Sequence, residues 1–251
     1  MDNKPVPSKF ENDLSKGNVV KQLLLFALPF LLSNFLQSLY SVVDMVIVGQ
    51  FSGMQSMSGV NIGGQVTLVA TNLVIGLSAG ATVLIGQYLG YKARREMKET
   101  IGTLFMTLLI VAVFLTGLML IFRAPILRAL NTPAEAFSEA MNYLLITSSG
   151  LIFIFGYNAF SAVMRGLGDS KRPLIFVAIA CVTNIGLDIL FVARFNMMAF
   201  GAALATIISQ ALSMILCFIY LKRNDFVFDF KWASFKINRK RLGILLKIGA
   251  P

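Results

Sequence analysis

The chain has 251 residues, 57% of them apolar and 14% charged, with a mean hydropathy of +0.76, no histidine, two cysteines and a net charge of +10. Soluble domains are about a quarter charged, so this composition excludes a water-soluble globule and points to a polytopic membrane protein. The lack of histidine excludes zinc-protease sites, serine triads and histidine proton relays. Cys181 and Cys217 lie inside apolar runs and read as core residues rather than as a disulfide or metal pair.

In chain order, residues 1–18 form a polar tail, and the apolar run behind it is too long for a signal-peptide core, so it reads as a retained first helix. A helix needs about 20 apolar residues to cross a bilayer. Six runs meet that length: 22–51 with one charge, Asp44; 52–91 with none; 100–122 and 140–164 with none; 173–193 with only Asp188; and 195–221 with none. Together they predict an all-α transmembrane lobe over residues 19–221.

Short cytoplasmic loops retain lysine and arginine. Of the 22 basic residues, 19 lie before the first span, between the second and third, between the fourth and fifth, or after the sixth; the alternate connections hold only Arg123, Arg128 and Arg194. The N-terminus is therefore expected in the cytoplasm. Topology accounts for most of the positive charge, which leaves no call for a nucleic-acid partner.

Two ionisable side chains remain inside the spans. An acid near mid-membrane costs a few kcal/mol on insertion scales, so Asp44 and Asp188 need partners or a function. Counted at 1.5 Å per residue from the ends of their spans, Asp44, Asp188 and Thr206 reach one layer in the outer half of the bundle, and Asn184 lies one turn from Asp188 on the same face. Two carboxylates, an amide carbonyl and a hydroxyl are hard oxygen donors that suit a small cation; a proton shared by the acids is the alternative, and helix stapling by hydrogen bonds is a third reading. On the first span Ser33, Gln37, Tyr40 and Asp44 recur at steps of four, three and four, which puts them on one face. That face either lines a cavity or bonds to neighbouring helices. Tyr143 and Asn158 are weaker candidates of the same kind.

The second span carries three G-x-x-x-G pairs, Gly59 and Gly63, Gly76 and Gly80, and Gly86 and Gly90, read as close-packing surfaces. The segment from Arg165 to Pro173 lacks the strand and glycines of a nucleotide fingerprint and reads as a tight turn. Residues 222–241 form a basic connector in which Phe226, Phe228, Phe230 and Trp232 alternate with polar residues, either resting on an anionic leaflet or linking two halves. Residues 242–251 turn apolar again and echo the run from Leu23 to Pro29, as the start of a second half does in a duplicated transporter. The expectation is a first half of about twelve helices, with the seventh just begun.

These residues resemble the multidrug and toxic compound extrusion (MATE) family. The likeness rests on the proline-containing first helix running into Val43-Asp44-Met-Val-Ile-Val-Gly49, on Gly86-Gln-Tyr-Leu-Gly-Tyr-Lys-Ala-Arg94, on Arg165-Gly-Leu-Gly-Asp169, and on Asn184-Ile-Gly-Leu-Asp188 followed by Thr206. The resemblance implies a six-helix lobe of a twelve-helix transporter, with alternating access driven by sodium or protons. It implies a coupling-ion site, a possible Na⁺ or H⁺ site, at Asp44, Asn184, Asp188 and Thr206, and a substrate chamber touched by Gln37, Tyr40 and Asn158. The expected protein is a non-enzymatic, multi-pass efflux antiporter of the cell membrane. It has no cofactor beyond the coupling ion, takes cationic drug-like substrates, and is a monomer once a second lobe is present. A lipid-linked oligosaccharide or polysaccharide flippase of the same wider group, and a non-transporting membrane subunit, are the alternatives.

Overall fold

The computed structural model describes residues 18–224, 226–231 and 234–249, with Val19 described by its backbone alone. Lys4, Lys9, Lys16 and the rest of the tail up to residue 17, together with Trp232 and Pro251, lie outside the described residues. The helices are α1 Val19–Gly90, α2 Arg94–Ala129, α3 Ala134–Ser149, α4 Leu151–Gly166, α5 Lys171–Asp188, α6 Met198–Arg223 and α7 Arg239–Gly249, and a π-helical turn, Ile189–Arg194, continues α5.

The Asn18 side chain starts α1 by accepting from the Val20 and Lys21 amides at 3.0 and 3.3 Å, which satisfies donors that the first turn leaves unpaired. Eleven residues on, Pro29 removes an amide from the ladder. The Ser33 hydroxyl donates to the Pro29 carbonyl at 2.8 Å. A straight 72-residue helix would run roughly 110 Å, several times the hydrocarbon thickness. Gly53 ends that run: its φ of 80° and ψ of 178° lie where essentially only glycine goes. The helix therefore divides into limbs 19–52 and 54–90 that fold back on each other, with Ile47 and Val48 of the first sharing a buried cluster with Val60 of the second.

The predicted span 140–164 is built of two helices, α3 and α4, bent by 48° at Gly150. A Cβ at Gly150 would lie 2.3 Å from Ile207 Cδ1, so α6 presses its side chain into the notch that the bend leaves. The helix also begins earlier than the hydropathy suggests, because Glu135 in its first turn is favoured there by the helix dipole. Likewise α2 runs past 100–122 at both ends, carrying Arg94, Arg95 and Lys98 at one end and Arg123 and Arg128 at the other. The sixth span starts at Met198 rather than residue 195, after a turn in which Asn196 adopts a φ of 52°. Counting the limbs of α1 separately and α3 with α4 as one bent span, the described residues hold six apolar crossings. Val69, Ile121 and Val182 are each more than 70% exposed on the outside. A surface of that kind fits lipid, and the chain is a multi-pass membrane protein.

Inside, a core around Ile101, Leu104, Leu144, Phe155 and Met164 joins the helices. Hydroxyls tie helix to helix through backbone carbonyls: Thr116 donates to Ser148 O at 2.9 Å, Thr82 to Ala162 O at 3.1 Å and Ser213 to Phe176 O at 3.1 Å. Two of the three glycine pairs make close approaches. Built Cβ atoms on Gly59 and Gly63 would lie 2.6 Å from Glu139 Cβ and Tyr143 Cδ1 on α3, and those on Gly76 and Gly80 would meet the Gly249 backbone of α7 at 2.6 and 2.9 Å. The third pair differs: Gly86 makes only an ordinary contact, and a Cβ on Gly90 has nothing within 4 Å. Cys181 and Cys217 are buried and unpaired with each other, as core residues.

At the basic end of the bundle the segment 165–173 is a tight turn. Gly168 takes a φ of 84°, and the Asp169 carboxylate accepts from the Arg172 amide at 3.2 Å and pairs with its guanidinium. Among the described residues, the connector phenylalanines do not form an outer strip for a leaflet. Phe228 is buried, and Phe226, Phe230 and Phe235 join it in a group with Phe105, Phe160 and Phe218. The alternation is real, but its apolar side faces the end of the bundle. Beyond it Asn238 caps α7, accepting from the Lys240 and Arg241 amides, and donates to Glu99 Oε2 at 3.1 Å.

Candidate functional site

A cavity of about 490 Å³ opens between the two limbs of α1 and helices α3, α4 and α6. The first limb gives it Asn34, Gln37, Ser38, Tyr40, Ser41 and Asp44, and the second gives Asn61, Gln65, Thr67 and Thr71. Tyr143 comes from α3, Tyr157 and Asn158 from α4, and Thr206 and Gln210 from α6. Most of its lining residues are neutral and polar, with Asp44 as the one acid and no lysine or arginine among them.

Asp44 and Thr206 stand at the boundary of this cavity, and Asn184 and Asp188 lie behind them at 1% and 0% exposure. Asp44 and Asp188 lie close enough for each carboxyl group to act on the other's charge. Asn184 Nδ2 donates to Thr206 Oγ1 at 3.5 Å, a long bond that crosses from α5 to α6. The local fold explains the convergence. Asn184 and Asp188 share a face of α5 one turn apart, and the helix widens into its π turn immediately after Asp188, a distortion often found where a helix serves a site.

No donor among the described residues reaches Asp44 Oδ1, either Asp188 oxygen, Asn184 Oδ1 or Gln210 Oε1. Buried polar atoms are nearly always bonded, and two carboxylates side by side in a low-dielectric bundle repel strongly. A single cation at the acid pair, sodium or a proton, would supply what the four oxygens of Asp44, Asp188 and Asn184 lack and offset the paired charge. The oxygen set is hard, with no sulfur or nitrogen ligand, which suits an alkali cation rather than a transition metal.

The structure thus brings Asp44, Asn184, Asp188 and Thr206 together, and sets Gln37, Tyr40 and Asn158 on the cavity wall. Asn158 Nδ2 is bonded to Ile154 O of its own helix at 2.8 Å, which leaves its carbonyl side for the cavity. Of the four-residue stripe on the first span, Ser33 is turned into the Pro29 bend and does not reach the wall. Sequence reasoning missed the second limb's contribution. Asn61 and Gln65 bond to each other at 2.9 Å across one turn, and that i, i+4 spacing was the available signal. Gln210 was missed as well, although it follows Thr206 by the same four residues; its Nε2 donates to the Tyr40 hydroxyl at 3.3 Å.

The MatE family model matches residues 29–190 of the chain. Among curated proteins the chain is similar to the "Probable multidrug resistance protein YpnP" of Bacillus subtilis, 33% identical over 95% of this chain and 53% of that protein. It is also similar to the "Probable multidrug resistance protein YoeA" of the same organism, 31% identical over 94% of this chain and 53% of that protein. The chain therefore spans about half the length of the curated relatives it matches. In fold it is similar to a solved MOP superfamily transporter from Pyrococcus furiosus, described as having a binding pocket of reverse polarity that suggests a different function. That likeness has a TM-score of 0.88 at 24% identity and covers 97% of this chain and 54% of the other.

Proposed function

The chain belongs to the MatE family, and from that premise we propose that it forms the first lobe of a cation-coupled multidrug efflux antiporter. The observation that carries the reading is the buried Asp44 and Asp188 pair, with acceptor oxygens that no donor reaches, set at the edge of a chamber whose wall holds no cationic side chain. Sodium or a proton binds at Asp44, Asn184, Asp188 and Thr206. A cationic amphiphile occupies the adjoining chamber against Gln37, Tyr40 and Asn158. The cation competes with the drug for this negative charge or reshapes the chamber against it, and its binding from the outer side releases the drug outward. The first limb of α1, weakened at Pro29, is the element that bends between states.

The remaining parts follow from this reading. The N-terminus and the connector between α6 and α7 face the cytoplasm, the lobe 19–221 spans the cell membrane, and α7, which begins at Arg239 rather than at the expected residue 242, opens a second lobe that completes a monomeric transporter. A flippase for lipid-linked sugars would need cationic groups for a pyrophosphate, and the charge on this chamber wall is acidic.

Ethidium binding to the purified chain in nanodiscs tests the proposal, with sodium and pH varied separately. One of the two cations is expected to displace the dye, and Asp44→Asn and Asp188→Asn to abolish that displacement. Dye binding indifferent to both cations, or displacement that survives both substitutions, overturns it.

A further inference from the structure

The first limb of α1 and α6 run antiparallel, and the bond from Gln210 Nε2 to the Tyr40 hydroxyl fixes their register. Four residues forward on α1 is Asp44; four residues back on α6 is Thr206. The interface is thus a ladder of two rungs one helical turn apart: Asp44 beside Thr206 at the acid pair, and Tyr40 with Gln210 inside the chamber. Gln210 is 8% exposed, and its Oε1 finds no donor among the described residues, so the bond to Tyr40 is the one hydrogen bond that orients its amide.

We propose that Gln210 is a positioning residue that makes the chamber sensitive to cation occupancy of the acid pair, by holding Tyr40 in register with the helix that carries Thr206. The inference rests on the cation-coupled reading given above. A cation drawn between Asp44 and its neighbours on α5 and α6 moves the first limb relative to α6, and the second rung converts that movement into a change at Tyr40 on the chamber wall. The Gln210 amide need not touch either ligand. Without it the two sites share a helix but lose their common register across the interface.

Two readouts separate this role from a structural one. The cation-induced rise in Tm reports occupancy of the acid pair, because a ligand that binds the native state stabilises it. The cation-induced change in the ethidium Kd reports coupling, expected at about tenfold in the wild-type chain. Gln210→Met keeps the length of the side chain and loses the amide. It is expected to retain the Tm rise and to reduce the Kd change to within about twofold. Tyr40→Phe breaks the same bond from the other side and covers the case in which the first variant does not fold. The double variant is expected to lose no more coupling than either single one. Full Kd change in both single variants, or loss of the Tm rise together with the Kd change, overturns the inference. Absence of any cation effect on the dye in the wild-type chain instead defeats the cation-coupled reading itself.

Discussion

Arg241, at the start of α7, sets its Nε 3.4 Å from Glu99 Oε2 on α2. Its guanidinium also donates to the Tyr88 hydroxyl at 2.6 Å and lies over the Tyr88 ring, 5.0 Å from the centroid. One planar cation thus fastens the start of α7 to the adjoining ends of α1 and α2.

Arg241→Ala is expected to loosen α7 without disturbing the rest of the bundle. Hydrogen bonds to charged groups contribute about 1.5–3 kcal/mol, so amide exchange over residues 239–249 should quicken by about tenfold or more. Arg241→Lys keeps the charge but not the fork and ring contact, and should recover only part of the protection. Unchanged exchange in Arg241→Ala would mean that the glycine contacts alone seat α7.

Two glycine substitutions should move stability in opposite directions. A Cβ on Gly59 would sit 2.6 Å from Glu139 Cβ and 2.8 Å from the Ala140 amide nitrogen, part of a helix backbone that cannot step aside alone. Gly59→Ala is therefore expected to destabilise by about 1–3 kcal/mol. Gly117, inside α2, has nothing within 4 Å of such an atom. Gly117→Ala should stabilise by about 0.5–1 kcal/mol through helix propensity. Thermal unfolding in detergent reads both.

Thr206→Val removes the hydroxyl that Asn184 reaches from α5 and keeps the branched shape. Loss of one neutral hydrogen-bond partner, about 0.5–1.5 kcal/mol, should weaken cation affinity about three- to tenfold, read as a smaller cation-induced rise in Tm. An undiminished rise would remove Thr206 from the cation site.

The sequence revealed the spans because long charge-free runs have few soluble interpretations, and it revealed Asp44 and Asp188 because a lone acid in such a run stands out. Neutral polar residues gave no comparable contrast. Asn61, Gln65 and Gln210 resemble any amide that bonds between membrane helices, and only the register of α1 against α6 turns them toward one cavity. The bend at Gly150 and the π turn after Asp188 were illegible for a different reason. Both arise where another helix presses in or a ladder slips by one residue, which no local run of side chains records. The connector phenylalanines showed the correct alternation, but alternation does not say which side meets lipid and which meets protein.

The seat of α7 is built from the second limb of α1, through Gly76 and Gly80, and from Tyr88 and Glu99. All of these precede α7 by well over a hundred residues. Every residue of that seat is synthesised before residues 239–249 leave the ribosome, and earlier segments generally fold first. Helix α7 is then received by a surface that precedes it, and its direction is set by the second limb of α1.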